Sequence, residues 1–486
     1  MKKLDENQKA IEKEYLMTRN NIFINASAGS GKSTTAVHLA KITPKHRKML
    51  FVAFNKSIVE ELKTRVPDHV HASTIHSLCY RLLRQNVRLN LKLTESKNFI
   101  YCRQKSDVSH IKKHNSRIAN LFNLGAVINL MKLNLTEPTP EKIVELANTY
   151  GYMLDSKDVS NIVATWKHIE KSETNLNPKR EGMMDFTDML YFAYTRVPEE
   201  DINKYDVVVV DECQDLNPLQ YNMILRFLKP NGRLISVGDS KQLIYGFMGS
   251  NLSSFNEMRN RPNTTELPLS VSYRCPKKVV EFANTILPGT DALPDAPEGV
   301  VKVGYLKDAM EGDYIICRNN APLVDAFTFL TKMGKRCSIM GKEFGNSLLS
   351  LIDRIENIED LVLLLEEKEL ELSERGVNKP KNNAQYVALK EKVGIVESLY
   401  NFFGSMETVS NKLMDIYKGD KDVKTDQITL STIHKSKGLQ ADRVFILNWH
   451  LLPSEYATSQ QELDQEKCLQ YVAVTRAKKE LTFCEI

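Results

Sequence analysis

The sequence has no apolar run approaching the ~20 residues that a membrane-spanning helix needs. Its opening, Met1-Lys2-Lys3-Leu4-Asp5-Glu6, leads into polar, helix-like sequence where a secretion signal would carry an apolar core. A protein working where it is made is expected, cytoplasmic or nucleoid-associated, with no membrane among its partners. Its eight cysteines form no C-x-x-C pair and no regular spacing, which argues against a disulfide framework or a zinc site. Charge of one sign is scarce too. A formal net charge of +5 over 486 residues excludes a polycation, so any affinity for nucleic acid must come from a local basic groove. No internal repeat is visible, which sets aside a solenoid. The overall composition is ordinary for a globular protein, and a chain of this length is too long for one core, so about two to four domains are expected.

One glycine is missing from an otherwise complete motif. Residues 26–34 read Ala26-Ser27-Ala28-Gly29-Ser30-Gly31-Lys32-Ser33-Thr34, a G-x-x-x-x-G-K-[ST] phosphate-binding loop whose opening glycine is alanine. The chemical part is intact. Gly29 and Gly31 let the backbone turn its N–H groups onto a polyphosphate, Lys32 can reach the β- and γ-phosphates, and the Ser33 hydroxyl suits Mg²⁺. Asn21-Ile22-Phe23-Ile24-Asn25 reads as a short strand feeding the loop and Thr34 to Ala40 as a helix leaving it, so the helix start adds its N–H groups and dipole to phosphate binding. ATP with Mg²⁺ is the expected ligand, and no other metal is expected.

Asp206 to Val210 is a β-branched run without alternation, the pattern of a strand buried on both faces of a parallel sheet, and it ends in Asp211-Glu212-Cys213-Gln214-Asp215. A carboxylate at such a tip can hold the Mg²⁺ of a nucleotide bound at a neighbouring loop, and the next can orient or deprotonate the attacking water. Asp211 is assigned the first role and Glu212 the second. A further strand, Arg233 to Val237, runs into Gly238-Asp239-Ser240-Lys241-Gln242, with Tyr245 and Phe247 a few residues on. Gln242 could sense the γ-phosphate there. Aromatic faces so close to an ATP site could pass nucleotide state to a base-stacking platform, since a base stacked on an aromatic ring is worth about 1–3 kcal/mol whatever its identity. The same two rings are also compatible with a place in the core.

Further segments follow in a fixed order: Leu4-Asp5-Glu6-Asn7-Gln8, Phe51-Val52-Ala53-Phe54-Asn55-Lys56, Ala72-Ser73-Thr74-Ile75-His76-Ser77-Leu78 and Asp185-Phe186-Thr187-Asp188-Met189-Leu190, then Leu269-Ser270-Val271-Ser272-Tyr273-Arg274, Ile428 to Leu439 and Tyr471 to Lys478. With the loop and the acidic strand they resemble, from end to end, the motifs of the superfamily 1 DNA helicases of the UvrD/Rep type. The chain looks closest to the F-box DNA helicases and to compact phage and bacterial relatives, although no F-box is visible. The resemblance implies that Gln8 reads adenine, Tyr273 stacks on it, Arg274 touches the γ-phosphate and Arg476 is an arginine finger. It also implies that Phe54, Asn55, Thr74, His76 and His434 contact single-stranded DNA, beside Tyr245 and Phe247. Three positions depart from the family pattern: Phe247 stands where Trp is usual, Met248 where Arg commonly follows, and Gln440 where a Glu closes the motif that holds His434.

The fold implied is α/β: two RecA-like motor domains with parallel sheets, each carrying a helical insertion. The first would use 1–80 and 185–265, interrupted by 81–184; the second 266–341 and 424–486, interrupted by a small insertion over 342–423. Basic stretches from Arg81 to Arg88 and from Lys105 to Arg117 read equally as DNA-backbone contacts and as solvated helix faces, and Trp166 reads as a core residue of a helix. The short second insertion predicts weak autoinhibition and a monomer that unwinds unaided. The expected activity is an ATP-driven single-stranded DNA translocase and helicase, 3′ to 5′ by resemblance, acting on single strands and tailed or forked duplexes in replication, repair or recombination. Single-strand-binding or other replication and repair proteins are the expected protein partners. An ATP-gated remodeller that strips proteins from single strands with little unwinding would carry the same motifs. A fused nuclease is not expected, because the chain ends just after the last of them.

Overall fold

A computed structural model describes residues 4–53, 55–86, 91–111, 114–150, 152, 154–174, 182–244, 252–355, 357–374, 379–418 and 423–486. The chain divides into two compact units: Met1–Ala26, Gly31–Ser240 and Tyr245–Leu269 form the first, and Ser27–Ser30, Lys241–Ile244 and Ser270–Ile486 the second. Among the described residues no helix is long and apolar enough to cross a membrane.

In chain order the strands of the first unit are β1 (Asn21–Ala26), β2 (Met49–Ala53), β3 (Val70–Thr74), β4 (Leu91–Leu93), β5 (Gly182–Met184), β6 (Tyr205–Val210), β7 (Leu228–Gly238) and β8 (Thr264–Leu269). Six of them make one all-parallel sheet in the order β3-β2-β6-β7-β1-β8. A parallel sheet covered on both faces needs strands that are apolar throughout. Accordingly β2 is buried at every position and β6 at its last four. Alternate residues feed two cores: Leu50, Val52, Val208 and Val210 on one face, Met49, Phe51, Val207 and Val209 on the other.

The helices of this unit that concern the site are α1 (Glu6–Met17), α2 (Lys32–Ile42), α3 (Lys56–Arg65), α4 (Ile75–Asn86), α5 (Lys97–Lys105), α6 (His114–Leu133), α7 (Pro140–Thr149), α8 (Ser156–Thr174) and α9 (Phe186–Arg196). Helices α5 to α8 carry a core of their own around Leu124, Ile128, Ile143, Ile162 and Trp166, and Trp166 is buried as its sequence context implied. This segment is not purely helical. β4 and β5, at its two ends, pair in parallel, a pairing that requires a long crossover, here the helices themselves. Leu91-Lys92-Leu93 is too short to announce itself as a strand.

A buried charge cluster ties these helices to α9. Lys97 on α5 and Lys132 on α6 each place Nζ 2.6 Å from a carboxylate oxygen of Asp188 on α9, and all three side chains are fully buried. Burial pushes the Asp188 carboxyl up, but Lys132 and Lys97 more than offset it and hold it well below the usual carboxylate range. Asp188 and Asp185 also cap the start of α9 reciprocally.

The second unit contains β9 (Val271–Ser272), β10 (Asp291–Ala292), β11 (Val300–Val303), β12 (Tyr314–Cys317), β13 (Cys337–Met340), β14 (Tyr417–Lys418), β15 (Ile428–Thr432), β16 (Ala441–Leu447) and β17 (Ala477–Cys484). Its main sheet is also all parallel, in the order β11-β17-β16-β12-β15-β13-β14. Both units are therefore parallel α/β structures, the class that the Asp206–Val210 run implied for the first and the family resemblance for both. Residues 342–423 supply the helices Lys342–Ile352, Asp360–Glu374, Ala384–Phe403 and Met406–Ile416, and then β14, which joins the edge of the sheet beside β13. Leu361, Val396, Leu399 and Leu413 from those helices share one core with Ile315, Leu430 and Phe445 of the sheet.

Candidate functional site

Parallel α/β sheets bind ligands outside the carboxyl ends of their strands, and the first unit gathers its chemistry there. Ala26 is the last residue of β1, paired with Leu269 in β8, and its methyl lies in the apolar core. The turn is made further on, by Gly29 and Gly31 at φ of 72° and 80°, values that glycine adopts without penalty. An alanine at the loop's first position is thus a strand residue and needs no special backbone freedom. Gly31 is the N-cap of α2 and brings no side chain to cap it, so the helix start offers its N–H groups and positive dipole end to an anion. Ser33 Oγ donates to Asp211 Oδ2 at 2.8 Å, and Lys32 Nζ stands 3.6 Å from Glu212 Oε2. Thr34, next along α2, is exposed.

Asp211 and Glu212 follow β6 directly. Burial, reinforced by the Glu212 charge, pushes the Asp211 carboxyl up to about 6, against the opposing pull of Lys32 and Ser33. A buried carboxylate this strained is short of positive charge, and its oxygens with the Ser33 hydroxyl are the hard donors that Mg²⁺ takes, so the residues fit that ion. Glu212 has φ of 52°, a left-handed backbone that costs a residue with a side chain about 1–3 kcal/mol and is concentrated at functional sites. Its carboxylate accepts from Gln214 Nε2 at 2.6 Å, and Gln214 Oε1 accepts from the Asp239 N–H at 3.1 Å. Gln214 is fully buried and so links the tip of β6 to that of β7. Gly238 makes room for it: a Cβ there would stand 2.6 Å from Cys213 Sγ and 2.8 Å from Gln214 Oε1. Neither Gln214 nor Gly238 announces a role in the sequence. A glutamine inside an acidic cluster was the signal that could have found the first.

Gln8 is buried in the first turn of α1. Its Oε1 accepts from the Asp5 N–H at 3.2 Å, completing a capping box, and its Nε2 donates to Thr35 Oγ1 on α2 at 3.2 Å. Each amide atom retains one further hydrogen-bonding position. Along the same sheet edge, Asn55 caps α3 through the Ile58 N–H at 2.9 Å, and Thr74, the last residue of β3, donates to Ser77 Oγ at 2.9 Å. His76 in the first turn of α4 lies edge-on to Phe186, with ring centroids 6.2 Å apart, and burial lowers its pKa, favouring the neutral imidazole. Asn55, Thr74 and His76 thus share the carboxyl edge with Lys32, Ser33, Asp211 and Glu212. Phe54, Tyr245, Phe247 and Met248 lie outside the described residues.

Within the second unit, Arg476 is fully buried. Its Nε donates to the Val472 carbonyl at 2.8 Å, Nη1 to the Leu439 carbonyl at 3.2 Å and Nη2 to Thr475 Oγ1 at 3.1 Å. Arg274 Nη1 donates to the Thr475 carbonyl at 3.4 Å. Burial, and then the nearby Arg274 charge, lower Arg476 to about 10, which leaves it a cation at neutral pH. Among the described residues no carboxylate pairs with either guanidinium, so two like charges stand near one another, an arrangement that favours an anion. Ser27, Ala28, Gly29 and Ser30 group with this unit. The Gly29 carbonyl accepts from the Tyr273 N–H at 2.9 Å, and a Cβ on Gly29 would stand 2.5 Å from Arg274 Cβ. The Ala28 N–H donates to the Tyr471 hydroxyl at 3.2 Å, Ser27 Oγ donates to the Gly289 carbonyl at 3.2 Å, and Ser30 Oγ is buried without a hydrogen-bond partner among the described residues. Gln242 is buried, its carbonyl accepting from Lys437 Nζ at 2.9 Å. His434 follows β15, where burial, and then Arg318, push its imidazole down to about 4.

Comparison with known proteins covers both units. The model of the UvrD/REP helicase N-terminal domain matches residues 4–263, and that of the UvrD-like helicase C-terminal domain matches residues 342–486. F-box DNA helicase protein 1 of Schizosaccharomyces pombe is 27% identical, over 99% of this chain and 57% of that protein. F-box DNA helicase 1 of Gallus gallus is 24% identical, over 98% and 48% respectively. ATP-dependent DNA helicase PcrA of Bacillus subtilis is 26% identical, over 57% and 39%. The chain spans about half the length of the curated relatives it matches.

Proposed function

The chain belongs to the UvrD/Rep helicase family, and from that premise we propose that it hydrolyses ATP to move along single-stranded DNA, 3′ to 5′, separating duplex ahead of it as a monomer. The observation that carries this reading is the gathering, on one carboxyl edge of one parallel sheet, of the Ser33–Asp211 and Lys32–Glu212 pairs with Asn55, Thr74 and His76. Nucleotide chemistry and strand contact then share a rigid edge.

In this reading Ser33 and Asp211 hold Mg²⁺, which supplies charge neutralisation on the phosphate oxygens. The residues from Ala26 to Thr34, through the N–H groups of the loop and of α2, bind the phosphates together with Lys32. Glu212, oriented by Gln214, takes the proton of the attacking water. Gln8 and Tyr273 hold the adenine, Gln242 senses the γ-phosphate, and Arg274 and Arg476 bring positive charge to the transition state. Phe54, Asn55, Thr74, His76, Tyr245, Phe247 and His434 grip the strand, and the alternation of that grip with hydrolysis produces a step. The motor domains are 1–80 with 185–265 and 266–341 with 424–486, carrying 81–184 and 342–423. The substrates are single strands and tailed or forked duplexes, met in replication, repair or recombination beside single-strand-binding and other replication or repair proteins.

The test is steady-state ATP hydrolysis with and without single-stranded DNA, followed by unwinding of 3′- and 5′-tailed duplexes with one preparation. Stimulation by the strand and unwinding of the 3′-tailed duplex alone are expected. Hydrolysis indifferent to DNA would overturn the reading.

A further inference from the structure

Three phenylalanines surround a cavity of about 360 Å³ between α5, α6 and the start of α9, away from the ATP residues. Phe99 on α5 and Phe122 on α6 stack with ring centroids 4.2 Å apart and planes 21° from parallel. Yet Phe122 is 55% exposed, and Phe186, on the α9 side, is 48% exposed. A single exposed apolar ring needs no explanation, whereas rings grouped around one cavity leave aromatic faces in water where a flat partner could cover them.

The sequence builds this arrangement deliberately. Phe122, Gly125, Ala126 and Asn129 stand at i, i+3, i+4 and i+7, one face of α6, and all of them line the cavity. Gly125 lets the helices approach: a Cβ there would lie 3.3 Å from the Phe99 N and 3.4 Å from Asn98 Cβ, so a larger residue would push α5 off and part the two rings. The Asn129 amide, which makes no hydrogen bond among the described residues, offers both a donor and an acceptor at the rim. Glu95 and Asp185 also line the cavity. Acidic neighbours suit an uncharged ring turned inward better than a phosphate. The edge contact of Phe186 with His76 joins the cavity to the strand-contact residues of α4.

We propose that this cavity is a nucleobase pocket for single-stranded DNA, with the outer face of Phe122 as its stacking platform and the Asn129 amide at the base edge. The proposal rests on the reading that single-stranded DNA is the substrate. It extends the strand's path from the sheet edge onto α5 and α6.

Equilibrium binding of oligodeoxythymidylate, and of an abasic oligonucleotide of equal length, is compared for wild type, Phe122→Ala and Phe122→Trp. Phe122→Ala is expected to bind oligodeoxythymidylate about tenfold more weakly, with its salt dependence unchanged because no phosphate contact is lost. It should bind the abasic strand as wild type does and keep its DNA-free ATPase, with the unfolding temperature lowered only by the loss of the Phe99 stack. Phe122→Trp should retain affinity, and the introduced indole should be quenched when oligodeoxythymidylate binds. Wild-type binding together with an unaffected Phe122→Ala and an indole indifferent to the strand would overturn the pocket alone. Failure of the wild-type chain to bind any strand would overturn the proposed function, and the pocket with it.

Discussion

Lys32 Nζ lies 3.6 Å from Glu212 Oε2, so the cation assigned to the phosphates and the carboxylate assigned to the attacking water neutralise each other within the first unit. A phosphate that draws Lys32 away therefore also releases Glu212, and the two substitutions should differ. Lys32→Ala should abolish nucleotide binding. Glu212→Gln should keep binding but lower DNA-stimulated hydrolysis by at least about 100-fold, the span of a lost general base. Fluorescent-nucleotide titration and steady-state ATPase separate the two, and full ATPase in Glu212→Gln would refute its role.

Ala26→Gly restores the usual loop sequence, yet nucleotide affinity should not rise. Ala26 ends β1 with its methyl in the core, so the change should lower stability by about 1–2 kcal/mol, the sum of added chain entropy and the lost burial of one methyl. Urea unfolding beside nucleotide titration measures both quantities, and a several-fold gain in affinity would contradict this account.

Asp188→Asn leaves the ammonium groups of Lys97 and Lys132 buried without their carboxylate, and breaking a buried pair from one side costs about 3–5 kcal/mol. Replacing the whole cluster, as Lys97→Met with Lys132→Met and Asp188→Leu, should cost less, because no buried ammonium is left without a carboxylate. Equal losses in the two variants, read by urea unfolding, would show that shape and not charge holds α5 and α6 to α9.

His434 is neutral in the folded protein because burial pushes its pKa down from 6.5 to about 4. The unfolded chain then binds the extra proton first, so the His434 contribution to stability is present above about pH 6.5 and is lost as pH falls through that value toward 4. His434→Gln should flatten this part of the stability profile, as thermal unfolding between pH 4 and 7 would show. An unchanged slope would place the acid sensitivity elsewhere, on His71, His76 or His168, whose pKa values burial also lowers.

Local physics made much of the site readable. The run Val207 to Val210 had to be a covered parallel strand because every one of its residues is apolar, and its acidic end had to reach the carboxyl edge of the sheet. Asn55 and Thr74 stood out only through segments that resemble strand-contact motifs, and their use as the cap of α3 and as the partner of Ser77 was not legible, since a short polar side chain serves a helix start and a ligand equally well. The strands β4 and β5 escaped notice because three residues cannot display an alternation. The segment 342–423 was readable as helices, but not as part of the core built on Ile315 and Leu430.

By itself, then, the sequence determined the chemistry: glycines where the backbone must turn left-handed, Lys32 and Ser33 at a helix start, and paired carboxylates after a strand that only a parallel sheet could bury. These follow from neighbours along the chain, whose backbone angles and burial are set locally. Tertiary structure alone decided that Ala26 belongs to the core, that Gly238 admits Gln214 between two strand tips, that one aspartate neutralises two lysines from separate helices, and that Phe99 meets Phe122 across Gly125. Each of these depends on how closely two distant segments approach, and close approach is fixed by packing volume, which no periodicity in the chain records.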